Sequence, residues 1–224
     1  MNHHSIVYMW NFKPHERSSI PMDCVRKNKM FIPEYSIVTP HDIIPILSSF
    51  EGLPELWAKI PDAYWIVKAD LARLLYIYKN GGFYLDIDCV MLSNPFNTIN
   101  PKCDRMILFT EFTVPVDKLG PRECKHPRNG VRVANFAFAS NFKRHPFLEI
   151  CIRECIRRLT YLFDLNLKKW AETDILWVCG PDVITTMYHA QFSDDGSTGD
   201  VDSSIRLMQR GYLQHLGYGS WRDE

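Results

Sequence analysis

Apolar residues along this chain follow two rhythms. Short apolar or alternating runs bounded by polar and turn residues predict strands. They fall at SIVYMW (5–10), EYSIVT (34–39), GGFYLDIDCV (81–90), RMILFTEF (105–112) and RVANFAFAS (132–140). The clearest helical spacing is in PDAYWIVKADLARLLYIYKNGG (61–82), where Ala69, Leu71, Ala72, Leu74, Leu75 and Tyr78 recur along one side. Pro61 suits the first helical position and Asp62 the positive helix end. Asn80-Gly81-Gly82 terminates the helix, because these residues tolerate the left-handed backbone of a C-cap. Further helices are predicted over 40–50, with prolines at its limits, over 145–163, started by Pro146, and over 180–192. Polar loops separate them at 11–23, 113–131 and 193–200. No internal repeat and no convincing linker divides the chain. Alternating strands and helices predict an α/β fold.

Composition narrows the picture modestly. The chain has 224 residues, 46% hydrophobic and 23% charged, which suits one globular domain. The formal net charge is zero, so no overall basic surface argues for nucleic acid or an anionic membrane. A local basic cleft for a phosphate is still compatible with that balance. The seven cysteines include no C-x-x-C pair and sit mostly in apolar runs. They read as reduced thiols of a cytoplasmic protein, without the paired spacing of a structural zinc site. The N-terminus MNHHSIVYMW lacks the pattern of a signal peptide, and no window approaches the ~18 apolar residues of a membrane span. The chain reads either as a complete small enzyme or as the first domain of a longer protein. The loop 113–131 carries three prolines and two glycines and has the length of a functional lid.

The chemistry centres on residues 81–90. On a continuous strand, Phe83, Leu85, Ile87 and Cys89 point one way, and Tyr84, Asp86 and Asp88 the other. The two carboxylates are then neighbours on one face, with Cα atoms roughly 6.5–7 Å apart. Like charges at that separation repel, and a divalent cation resolves the conflict; hard carboxylate oxygens suit Mg²⁺ or Mn²⁺. Two protein carboxylates leave coordination positions for the oxygens of a diphosphate. On the preceding helix, Asp70 and Arg73 share a face. Seen alone they are either an internal ion pair or a ligand clamp. A calcium loop is excluded, since DIDCVMLSNPFN lacks the central Gly and terminal Glu, and no Walker A loop is present.

The segment KADLARLLYIYKNGGFYLDIDCVMLSNPF (68–96) resembles the DXD-containing sugar-binding region of glycosyltransferase family 32. That family includes initiating mannosyltransferases and capsule-type enzymes. The same pattern, Ala-x-Asp-x-x-Arg followed by Gly-Gly-x-Tyr-x-Asp-x-Asp, resembles the catalytic domain of clostridial glucosylating toxins. IVYMW, NFAFASNFKRHPFLEICI (135–152), GPDVITTMY (180–188) and HLGYGSW (215–221) are similar to further family segments, while 113–131 is unmatched.

The resemblance implies a single domain of the GT-A type, a Rossmann-like α/β fold. Its mixed, mostly parallel central sheet is flanked by helices. The donor part covers about 1–112, and the acceptor side and C-terminal lid about 113–224. It implies a metal-dependent glycosyltransferase using Mn²⁺ or Mg²⁺ and a nucleotide diphosphate sugar. A UDP-sugar such as UDP-glucose is favoured, and the acceptor is a hydroxyl of a glycan or glycoprotein. GDP-mannose-dependent transfer and a non-catalytic nucleotide-sugar binder are the alternatives. A metal-dependent phosphohydrolase is a further rival, lacking the additional His or Asp cluster it would normally carry.

Residue by residue, Asp86 resembles the contact to donor ribose and sugar, and Asp88 the direct metal ligand. Asp70 and Arg73 resemble the pair that holds donor hydroxyls, and Tyr84 a donor-pocket residue. Ser220 and Trp221 resemble lid contacts to the diphosphate. His215 is a second candidate ligand to metal or phosphate, and equally an ordinary satisfied histidine. Trp10 stacks on the base or belongs to the core. Asn135 meets the sugar or acceptor, or caps a strand edge. Related enzymes retain the donor's anomeric configuration; inversion would require a base, for which Glu111 and Asp182 are the candidates.

Overall fold

The structure is a computed structural model and describes residues 5–14, 20, 22–113, 130–191 and 204–217. Most of the loop 113–131, the polar segment 193–200 and the two proposed lid residues, Ser220 and Trp221, lie outside these residues.

The predicted strands assemble into one sheet. β1 (Ile6–Met9), β2 (Tyr35–Val38), β3 (Gly82–Leu85), β5 (Met106–Thr113), β6 (Val131–Ser140) and β7 (Ile205–Met208) lie in the order β2-β1-β3-β6-β5-β7. Three of the five pairings are parallel; β6 runs antiparallel to both neighbours. The expected α/β architecture with a mixed, mostly parallel sheet is therefore present. A separate antiparallel ribbon joins β4 (Cys89–Met91) to β8 (Leu213–His215).

Alternation along the strands builds two apolar layers. Val7, Tyr84, Leu108 and Phe138 face one layer. That layer is filled by α2 (Pro40–Leu47), α3 (Leu53–Lys59), α4 (Trp65–Asn80), α5 (Pro146–Asp164), α6 (Glu172–Val178) and α7 (Pro181–His189). Ile6, Tyr8, Phe83, Leu85, Ile107 and Ala139 face the other, covered by α1 (Met22–Asn28) and β4.

Several boundaries differ from expectation. The helix expected over 61–82 opens as a 3-10 turn, Asp62–Tyr64, with Pro61 ahead of it as the capping residue; the α-helix begins at Trp65. Pro45 lies inside α2 instead of bounding it. The loop expected over 11–23 ends by entering α1, whose seven residues bury only Cys24, Val25 and Asn28 and so show no readable period. The short helices α3 and α6 and the strand β7 are additions of the same kind.

The most consequential correction is at 81–90. The expected single strand is two, β3 and β4, separated by a turn in which the Cys89 N–H donates to the Asp86 carbonyl at 2.9 Å. Sheet pairing ends with the Asp86 N–H donating to the Phe136 carbonyl at 2.7 Å. The chain then leaves the apolar sheet, which puts both carboxylates at its carboxyl edge.

Two local devices hold this segment. Gly81 has φ +72°, and a Cβ there would lie 3.1 Å from the Ser140 carbonyl oxygen. Only glycine makes so short a passage from α4 to β3 without strain. Beneath β4, the fully buried Asn28 donates to the Cys89 carbonyl (2.9 Å) and the Tyr8 hydroxyl (3.0 Å), and accepts from the Met91 N–H (2.7 Å). This asparagine pins the strand after the paired aspartates to α1. Asn28→Ala leaves a buried donor and a buried acceptor unpaired, and is expected to lower unfolding free energy by about 2–4 kcal/mol. Urea denaturation followed by tryptophan fluorescence measures this; an unchanged midpoint would show that Asn28 does not anchor β4.

Candidate active site

Asp86 leaves β3 and Asp88 lies two residues on, in the turn before β4. β4 pairs with β8 in a register that sets Cys89 opposite His215. The Leu216 N–H donates to the Asp88 carbonyl at 3.1 Å and extends the ribbon by one bond. This brings the His215 Nε2 to 3.3 Å from Asp88 Oδ1 and 3.9 Å from Asp86 Oδ2. The imidazole is stacked on Phe136, with ring centroids 4.6 Å apart. His215, more than 120 positions away in the chain, thus reaches the two aspartates through one strand pairing.

The two aspartates have different surroundings. Asp86 Oδ1 is committed to the protein: Arg73 Nη1 lies 3.0 Å away, and the Tyr84 hydroxyl donates to it. Its other oxygen faces His215. Asp88 makes its ion pair with His215 on the open side. Tyr84 and Asp86 meet through their side chains and Asp88 reaches the same histidine as Asp86, although a turn and not a continuous strand delivers Asp88.

Asp70 and Arg73 lie directly below. Each is only 5% exposed. Arg73 Nη2 sits 2.8 Å from Asp70 Oδ1, and Nη1 donates to the Asn135 carbonyl at 2.9 Å. The Asn135 side-chain amide donates to Asp70 Oδ1 at 2.9 Å, and the guanidinium lies over the Tyr84 ring, 4.7 Å from its centroid. Asp70, Arg73, Tyr84, Asp86 and Asn135 form one buried network. Asn135 Oδ1 has no partner among the described residues.

Burial pushes the Asp70 carboxyl up to about 7, with Asp86 adding to the rise; Arg73 and the Asn135 amide only partly offset it. Burial also raises Asp86, against the pull of Arg73. Burial works against the Arg73 charge, but Asp86, Tyr84 and Asp70 hold its proton more firmly than water would. His215 is raised too: burial opposes the shift, and Asp88 and Asp86 overcome it.

The donor set fits a divalent cation. Ligand atoms of Asp88, Cys89 and His215 lie within 4.8 Å of one another, and Asp86 Oδ2 borders the group. Burial drives the Cys89 thiol well above its ordinary range, which leaves carboxylate and imidazole as the ready ligands. Trp10 is half-buried at the end of β1, where its N–H donates to the Val38 carbonyl at 2.9 Å. Glu111 and Asp182 are both drawn to Arg132, at 3.0 and 2.9 Å. Burial raises Glu111 and Arg132 counters it. Phe136 was not singled out by sequence pattern. It lies beside Asn135 in the middle of β6, where its carbonyl accepts from the Asp86 N–H.

Residues 21–106, which contain Asp70, Arg73, Tyr84, Asp86 and Asp88, match the family model described as "Glycosyltransferase sugar-binding region containing DXD motif". No curated protein sequence matches the chain. Among solved structures, the chain is similar to the PaToxG glycosyltransferase at 15% identity and a TM-score of 0.47, over 84% of this chain and 69% of that one. It is also similar to the galactosyltransferase LgtC, solved with donor and acceptor sugar analogues, at 10% identity and a TM-score of 0.41, over 94% and 86%. A third structure, a transferase carrying two Cys→Ser substitutions, is 11% identical with a TM-score of 0.39, over 79% and 91%. The matched region runs from the start of α1 through both aspartates of the edge turn, so this part of the chain is similar to the DXD-containing sugar-binding region of glycosyltransferases.

Proposed function

We propose that this chain is a glycosyltransferase that moves a hexose from a nucleotide diphosphate sugar, a UDP-hexose such as UDP-glucose, to a hydroxyl of a glycan. A divalent cation, Mn²⁺ or Mg²⁺, takes part, and the anomeric configuration is retained. The observation that carries this reading is the division of labour between the aspartates. Asp86 is locked on one side by Arg73 and Tyr84 and is open on the other, where Asp88 and His215 converge. Asp88, Asp86 and His215 would hold the cation. When bound, it neutralises the charge that grows on the departing diphosphate.

The chain's own residues do the rest. Arg73 fixes the Asp86 rotamer, so that its free oxygen meets the donor in one orientation. Asp70 and Asn135 hold the guanidinium from behind, and Asn135 Oδ1 supplies an acceptor for a sugar hydroxyl. Tyr84 is buried beneath Asp86 and supports it. Trp10, at the end of β1, is assigned to the base, and Ser220 and Trp221 are assigned to the diphosphate by resemblance alone. With Glu111 and Asp182 both bound to Arg132, neither stands free as a base, which favours retention with the leaving phosphate oxygen taking the acceptor proton. None of the six described cysteines is in a disulfide and five of them are buried, which supports a reducing, cytoplasmic setting. No helix among the described residues is long and apolar enough to cross a membrane.

The central test is incubation with Mn²⁺ and a panel of UDP-sugars and GDP-mannose. Sugar transfer or release is expected with a UDP-hexose, falling by about a hundredfold or more in Asp88→Ala. Phosphate release without sugar release would overturn the assignment in favour of a hydrolase. Proton NMR of the product is expected to show the donor's anomer; the opposite anomer sinks retention.

The raised carboxyl of Asp70 makes a separate prediction. A folded-state value of about 7 lies above the ordinary value of 3.8, so the folded protein binds this proton more tightly than the unfolded chain. Its contribution to stability is full at the acid end and is lost as pH rises towards about 7. The stability of wild type relative to Asp70→Asn is therefore expected to fall with pH across that interval and then level off. Denaturation midpoints of both proteins along a pH series check this, and a difference independent of pH would show that the Asp70 carboxyl titrates alike in the folded and unfolded chain.

A further inference from the structure

A cavity of about 590 Å³ opens beside His215 and is used by none of the roles above. It is lined by Phe109, Thr110 and Glu111 of β5, by Phe136 of β6, and by the segments 209–211 and 213–215. Its volume is in the range of small-molecule sites. The strand order gives it a direction. β1 with Trp10, β3 with the paired aspartates, β6 with Asn135, and β5 then β7 follow one another across the sheet. The cavity therefore lies beyond the paired aspartates, on the side away from Trp10.

Its lining combines two chemistries. Phe136 and His215, already stacked on each other, present aromatic surface, and Leu213 extends it. Thr110, Glu111 and Arg210 contribute polar groups. Thr110 is 7% exposed, and its hydroxyl has no hydrogen-bond partner among the described residues. A buried hydroxyl left unpaired carries a desolvation cost that a ligand hydroxyl would relieve. Glu111 is held by Arg132 at 3.0 Å through one oxygen, Oε2, and the guanidinium fixes the side chain at the cavity wall. An apolar ring face beside fixed hydroxyl and carboxylate groups matches a pyranose, which has an apolar face and a rim of hydroxyls. An extended peptide is disfavoured here. β5 is paired on both sides, with β6 and with β7, so it offers no open edge for strand addition.

We propose that this cavity binds the acceptor as a carbohydrate ring, seated on Phe136 and hydrogen-bonded by Thr110 and Glu111. The proposal rests on the glycosyltransferase reading and adds where the acceptor sits and which side chains hold it. The test is saturation-transfer NMR with the methyl α- and β-glycosides of glucose, galactose, mannose and N-acetylglucosamine, with and without UDP and Mn²⁺. At least one glycoside is expected to receive saturation from the protein. Its dissociation constant is expected to rise by about tenfold or more in Glu111→Ala, the loss of a hydrogen bond to a charged group. Leu92 is 53% exposed at the cavity and tolerates a larger side chain. Leu92→Trp narrows the opening without disturbing the core and is expected to abolish the glycoside signal. UDP affinity, read by calorimetry, reports separately on the donor reading. A protein that binds UDP with Mn²⁺ but none of the glycosides overturns the acceptor proposal. Glycoside binding unmoved by both variants, or a Leu92-dependent signal from threonine or tyrosine peptides in place of glycosides, overturns it as well. Failure to bind UDP counts against the donor reading alone.

Discussion

One buried guanidinium organises this protein. Arg73 lies on α4, almost out of reach of solvent, and touches three separate parts of the chain: Asp70 on its own helix, Asp86 at the exit of β3, and the Asn135 carbonyl on β6. A charge this far from water is costly unless every donor finds a partner. The positions of all three partners are therefore tied to one another. Moving α4 against the sheet would strand a cation, and moving β6 would free a carbonyl. The site is stiff because its alternatives are electrostatically worse.

That constraint gives the paired aspartates unequal characters. Two equivalent carboxylates at a sheet edge would repel each other and share a proton. Here one is tethered inward by Arg73 and Tyr84, and the other is left to His215. The turn between β3 and β4 makes this possible by lifting Asp88 out of the sheet while Asn28 fixes the strand that follows. Asn28 touches no reacting group in this account, yet it sets where Asp88 begins.

The sheet order turns a list of residues into a path. β1, β3, β6 and β5 end on the same side, because β6 runs antiparallel and presents its start there. Trp10, Asp86 with Asp88, Asn135 with Phe136, and Thr110 with Glu111 consequently stand in sequence along one edge. Arg132 adds a second ion-paired centre, drawing in Glu111 and Asp182 from different elements. The carboxylate cluster and the cavity beyond it are thus built from neighbouring strands and share His215 as their boundary.

Much of this was legible in the chain itself. The helical period of 65–80, the Gly-Gly passage and the strand that carries Tyr84 and leads into Asp86 depend on neighbours within a few residues. Local pattern therefore predicts them, and the identity of Asp70, Arg73, Asp86 and Asp88 as one cluster followed from spacing and resemblance. Other features needed the tertiary fold. The break at 86–88 depends on where β6 stops pairing. α1 is too short to show a period, and Asn28 gains its meaning only from β4, more than sixty positions away. His215 reaches Asp88 through a three-residue strand, and the cavity beside it is walled by segments about a hundred positions apart. Sequence determined which groups are present and which short elements carry them. Long-range strand pairing, and the need to satisfy buried charge, decided which of those groups meet.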